Sequence, residues 1–145
     1  MAKLGAVDAR SELISEARRA VRRLDPTEKP GLVLIGSSGS APLAMGALGP
    51  MGTLLVDRYL LTVTARSLYV HRGSLLKNRP GKLVHVIPLA ETGGLVARVK
   101  RGKTRSALYL RFPGKAKPTR LSITYLSRDE MERFLGMFPE GGVSA

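Results

Sequence analysis

The sequence predicts an α+β, mostly β fold: a bent antiparallel sheet of six or seven strands, capped by a C-terminal helix and preceded by an N-terminal amphipathic one. Three observations lead there. Short runs rich in Leu, Val, Ile and Thr recur from residue 53 to residue 125, with Gly, Pro and Asn between them. Apolar residues at helical spacing are confined to the two ends of the chain. At 145 residues and 43% hydrophobic content, the chain fits one domain with a single core.

The first element is a helix. Leu13, Ala17, Ala20 or Val21, and Leu24 recur at helical spacing, and Ile14 widens the stripe. Asp8, Glu12 and Glu16 lie toward its start and Arg18, Arg19, Arg22 and Arg23 crowd its end. That polarity complements the helix dipole, which gives the arginines a structural reason to be there. Asp25-Pro26 ends the helix after about 18 residues, because proline disfavours helical geometry in the residue before it. Residues 1–29 therefore read as helix and linker.

Residues 31–36 form a compact apolar strand, and 37–52, rich in Gly, Ser, Ala and Pro, a loop. Gly36-Ser-Ser-Gly-Ser40 lacks the Gly-Lys-Ser/Thr ending of a phosphate-binding loop and reads as a turn. Residues 30–56 carry no charge, but their prolines and glycines argue against a membrane-spanning helix. Strands follow at 53–57, 59–64 and 67–72, the last after a turn at Ala65-Arg66. Asn78-Arg79-Pro80-Gly81 marks a loop across 73–82. Strands at 83–87 and 95–100 are separated by Pro88 and Gly93-Gly94.

Residues 106–112 alternate, with Leu108, Leu110 and Phe112 on one face and Tyr109 and Arg111 on the other. Pro113-Gly114 opens a hairpin loop that runs to Pro118, and Leu121, Ile123 and Tyr125 form the inward set of the last strand. Ser127-Arg-Asp-Glu130 has capping-box spacing and starts the final helix. Met131, Phe134, Leu135 and Phe138 make its apolar stripe; Pro139 and Gly141-Gly142 end it. Leu108, Leu110, Phe112, Ile123, Phe134 and Leu135 are the expected shared core. The folded unit spans 30–139, and 140–145 reads as a flexible tail.

This order resembles the bacterial pleckstrin-homology-like domains, in which a strongly bent seven-stranded sheet, a barrel, is capped at one open end by a C-terminal helix. Val63-Thr-Ala-Arg-Ser-Leu-Tyr-Val70 is similar to a hairpin of that family. So are Val86-Ile-Pro-Leu89 with Gly94-Leu-Val96, and Leu108-Tyr-Leu-Arg-Phe-Pro-Gly114 with Leu121-Ser-Ile123. The likeness covers about residues 53–138 and rests on turn chemistry and strand alternation. Ala65 stands where the family usually has aspartate, so the turn is expected to lose a side-chain hydrogen bond. The resemblance implies a binding or assembly module in a bacterial protein, and no catalytic residues.

Charge is regional. Sixteen lysines and arginines and one acid, Glu91, lie between Arg58 and Arg128, within a chain of net charge +13. A one-signed face concentrates anions: acidic lipid headgroups, acidic proteins or nucleic acid. The sharpest cluster is Lys100, Arg101, Lys103 and Arg105, followed by Lys115, Lys117 and Arg120 around the next hairpin. Together these seven are the expected anion-binding rim, and they would serve equally as a solvated face. Reversing Arg101 and Lys103 is expected to abolish binding with little effect on unfolding.

The preferred partner is an acidic membrane surface or an acidic protein. Sequence-nonspecific nucleic-acid binding is the alternative, with Tyr69 and Tyr109 as the only outward rings for base stacking. Catalysis is not expected. His71 and His85 lack an orienting acid, no motif of a hydrolase or metalloprotease occurs, and the absence of cysteine removes thiolate chemistry. No cofactor or metal is implied. The cysteine-free chain, whose start lacks the apolar core of a secretory signal, reads as cytoplasmic or peripheral at the membrane.

Overall fold

The computed structural model describes residues 2–38, 57–74 and 79–141, with side chains from residue 9 onward. Helix α1 spans Ala2–Leu24. Seven strands follow: β1 Val33–Ser38, β2 Asp57–Val63, β3 Ser67–Ser74, β4 Lys82–Pro88, β5 Val96–Lys100, β6 Arg105–Leu110 and β7 Thr119–Thr124. Helix α2 spans Arg128–Met137. The strands form one antiparallel sheet in the order β4-β3-β2-β1-β7-β6-β5. Ser37 and Ser38 belong to β1, so the expected loop at 37–52 starts two residues late. Its remainder, and residues 53–56 of the strand expected at 53–57, lie outside the described residues; Asp57 begins β2.

The sheet coils around a core without closing. β1 carries both halves, pairing β2 along Val33–Ser37 and β7 at Ser37 and Ser38. Gly36 sits at this crossover, where a Cβ would stand 2.9 Å from the Ile123 side chain; the two halves meet there because glycine has none. Irregularities at Val70/His71 and at Val96/Arg98 add twist. β4 and β5 end the strand order and do not pair. The barrel expected from sequence is thus open, and side chains fill the gap. Phe112, just past β6, stacks on His85 of β4 at 5.1 Å and on Tyr59 of β2 at 6.0 Å.

Helix α2 plugs the core with Met131, Phe134 and Phe138, against Leu34, Leu61, Leu108, Leu121 and Ile123. All six expected core residues belong to this cluster, Leu135 at its margin. The capping box does not form. Ser127 makes no side-chain cap bond; Arg10 Nη2 donates to its hydroxyl at 3.3 Å and to Glu130 at 2.5 Å. A helix 117 residues away in sequence has taken both capping groups. Tyr125 is not inward either: it sits in a 3₁₀ turn, 63% exposed.

Helix α1 covers the outer face of β1 and β2, where Leu13 and Ala17 pack on Val33 and Leu60. Leu24, expected in its stripe, is exposed. The linker after α1 is held by Glu28, whose carboxylate accepts from Thr64 Oγ1 at 3.0 Å, Tyr69 Oη at 2.9 Å and Arg66 Nε at 3.1 Å. Thr64 also repairs the turn that Ala65 weakens, its hydroxyl accepting from the Arg66 and Ser67 amides. At the other end, the chain beyond α2 folds back on β5. The Gly141 amide donates to the Val96 carbonyl, and the Val99 amide donates to the Glu140 carboxylate. Glu140 and Gly141 are therefore attached to the sheet; the rest of the expected tail lies outside the described residues.

Candidate anion-binding face

Strands β5, β6 and β7 contain no aspartate or glutamate. Alternation buries Val96, Leu108, Leu110, Leu121 and Ile123 in the core, so their neighbours line the outer face. The register sets these out in lateral rows. Arg98, Tyr109 and Arg120 form one row; Lys100, Ala107 and Ser122 form the next, which continues through Ser37 to Arg58 on β2. Ala107 and Ser122 are 5% and 6% exposed, whereas Lys100, Arg105 and Arg120 are exposed. Two small side chains thus floor a depression of about 220 Å³ that Lys100, Arg101, Arg105 and Arg120 border. Arg105 Nη1 donates to the Ser122 hydroxyl at 3.4 Å.

The turn between β5 and β6 is held from α2. Arg128 Nη2 donates to the carbonyls of Gly102 at 2.5 Å and Lys103 at 2.6 Å, and the Tyr125 amide donates to the Thr104 carbonyl at 2.9 Å. The Gly102 amide donates to the Ser106 hydroxyl at 3.3 Å. A Cβ on Gly102 would lie 2.2 Å from the Arg105 carbonyl oxygen, so this tight turn admits no larger residue without moving.

The seven expected rim residues divide. Lys100, Arg101, Arg105 and Arg120 border the depression, and Lys103 stands exposed on the adjoining turn. Lys115 and Lys117 do not join them. Neither lines the depression, and their loop begins at the end of the six-residue β6 opposite Arg105, about 17 Å along the strand from that residue at about 3.3 Å per residue. Lys115 instead neighbours His85, whose pKa is lowered by burial and by that ammonium. Arg101 is committed to a forked pair with Glu132 at 2.8 and 3.0 Å. That bond raises the Arg101 pKa and lowers that of Glu132.

Sequence reasoning passed over Arg98 and Ser122. Both were within reach of the alternation rule, since Arg98 precedes Lys100 by two residues and Ser122 follows Arg120 by two. Arg98 lies over the Tyr109 ring, 6.0 Å from its centroid. Tyr69, expected outward, is 6% exposed; burial first, then its bond to Glu28, push its pKa up to about 12. His71 is buried, with its Nδ1 making no hydrogen bond among the described residues, and burial holds its pKa low.

Among the described residues, no group of His, Asp and Glu is arranged to hold a metal ion, and no helix is long and apolar enough to cross a membrane. Comparison with protein-family models, curated proteins and solved structures finds no match to this chain.

Proposed function

We propose that this chain is a non-enzymatic docking module of pleckstrin-homology-like build, whose outer face across β5, β6 and β7 binds an acidic membrane surface. The observation that carries the reading is the row geometry: Arg98, Lys100, Arg105 and Arg120 share one face of three strands that hold no carboxylate. Each base near an acidic bilayer contributes roughly 1 kcal/mol. Four of them therefore supply roughly 4 kcal/mol, a reversible attachment.

The end of the face favours a bilayer over a soluble acidic protein. Tyr125 and Leu126, 63% and 53% exposed, follow β7 directly and stand beside the turn that carries Lys103. A ring and an aliphatic chain bordering cations suit the boundary between headgroups and acyl chains. Nucleic acid is less well served, because Tyr69 is turned toward Glu28 and Arg98 lies over Tyr109. Co-sedimentation with phosphatidylserine-containing vesicles and with neutral vesicles tests the reading. Binding only to the acidic vesicles, weakened by salt, is expected; equal partitioning removes the membrane reading, and tighter binding to duplex or single-stranded DNA would replace it.

A further inference from the structure

We infer that the depression floored by Ala107 and Ser122 is a subsite for a tetrahedral oxyanion, the phosphomonoester headgroup of a lipid. This rests on the membrane-docking reading and adds a preference among acidic lipids that bulk charge alone does not give.

The argument is one of shape and donor placement. Lys100 and Ser122 lie two strands apart in one lateral row with only the Ala107 methyl between them. Two strand spacings span about 9.6 Å, enough for an oxyanion that accepts bonds of about 2.8 Å from each side. Donors bound the space on several sides: Lys100 from β5, Arg105 from β6 and the Ser122 hydroxyl from β7. A phosphomonoester presents three terminal oxygens and up to two negative charges. A phosphodiester presents two oxygens and one charge, and a carboxylate two coplanar oxygens, so neither engages all these donors together.

Ser122 is itself placed for such a ligand. Among the described residues its buried hydroxyl has only a long bond from Arg105, at 3.4 Å. An oxyanion seated on the floor would take the Arg105 guanidinium as a shorter, charge-assisted donor and leave the hydroxyl proton free to donate as well. The turn that carries Arg101 and Gly102 is already fixed by Arg128, so little ordering accompanies binding.

The experiment compares vesicles of phosphatidic acid with vesicles of phosphatidylserine, matched in zeta potential, using the full chain. About tenfold tighter binding to phosphatidic acid is expected, the equivalent of one additional charge-assisted hydrogen bond. Ala107→Leu fills the floor without changing charge and should erase that preference while leaving phosphatidylserine binding intact. If its thermal unfolding shows that Ala107→Leu does not fold, Arg105→Gln serves the same purpose, reducing the preference by more than its loss for phosphatidylserine. Equal affinity of the native chain for the two lipids overturns the subsite and leaves docking standing; binding to neither overturns docking itself. A preference that survives in the folded variant also overturns the subsite. Titration with inorganic phosphate forms the last arm: saturable binding to phosphate with no lipid preference overturns the headgroup assignment.

Discussion

Reversing Lys100 and Arg105 together separates a built face from mere net charge. Both side chains are exposed, and neither takes part in an ion pair among the described residues. The double change to glutamate moves four units of charge at the face, about 4 kcal/mol at roughly 1 kcal/mol per unit, or about a thousandfold in affinity for acidic vesicles. The control is Lys115→Glu with Lys117→Glu, an identical change in net charge. It sits beyond the other end of β6, about 17 Å along the strand from Arg105 and about 10 Å from the Lys100–Ala107 row, against a screening length of about 8 Å at physiological salt. Less than about a tenfold loss is expected there. Vesicle co-sedimentation reads both, with thermal unfolding as the check on folding, which surface changes of this kind move by about 0.5 kcal/mol or less. Equal losses in the two doubles would refute the reasoning, since affinity would then follow total charge and not position.

Four further outcomes follow from contacts already described. Gly102→Ala keeps every charge but forces a Cβ within 2.2 Å of the Arg105 carbonyl; a loss of about 1–3 kcal/mol in denaturant unfolding is expected, with weaker vesicle binding. Glu28→Ala leaves the Tyr69 phenol without its buried acceptor and is expected to cost about 3 kcal/mol. Because the folded Tyr69 pKa is raised from 10.0 to about 12, the native state holds its proton more tightly than the unfolded chain. Stability should therefore fall as pH rises from about 10 to about 12, and Tyr69→Phe should flatten that limb in pH-dependent unfolding. His71 has the opposite slope. Its folded pKa lies below 6.5, so the unfolded chain binds the extra proton first and stability falls as pH drops below that value; His71→Phe should reduce the loss.

Much of the sheet was legible because strand alternation and turn residues are local. β6 and β7 show it best: Leu108, Leu110, Leu121 and Ile123 all point inward as their spacing requires. What escaped was set by partners far along the chain. Ser127 and Glu130 have the spacing of a cap, yet Arg10 of α1 binds both. Tyr69 alternates as an outward residue, yet Glu28, 41 positions earlier, covers it and accepts from its hydroxyl. Glu132 reaches Arg101 from α2 for the same reason. The division of the rim differs in kind. Two consecutive turns of an antiparallel sheet flank one strand and so stand at its opposite ends. The separation of Lys115 and Lys117 from Lys100 and Arg105 was therefore implied by the strand order itself.

The fold-back of Glu140 and Gly141 onto β5 makes the two margins of the sheet unequal. Backbone groups that would recruit a foreign strand there are already engaged, by a carboxylate at Val99 and by an amide at Val96. Among the described residues, strand addition between copies is thereby directed to β4. Pairing of one β4 with another consumes both recruiting margins at once, so such growth terminates at two chains and does not propagate into fibrils.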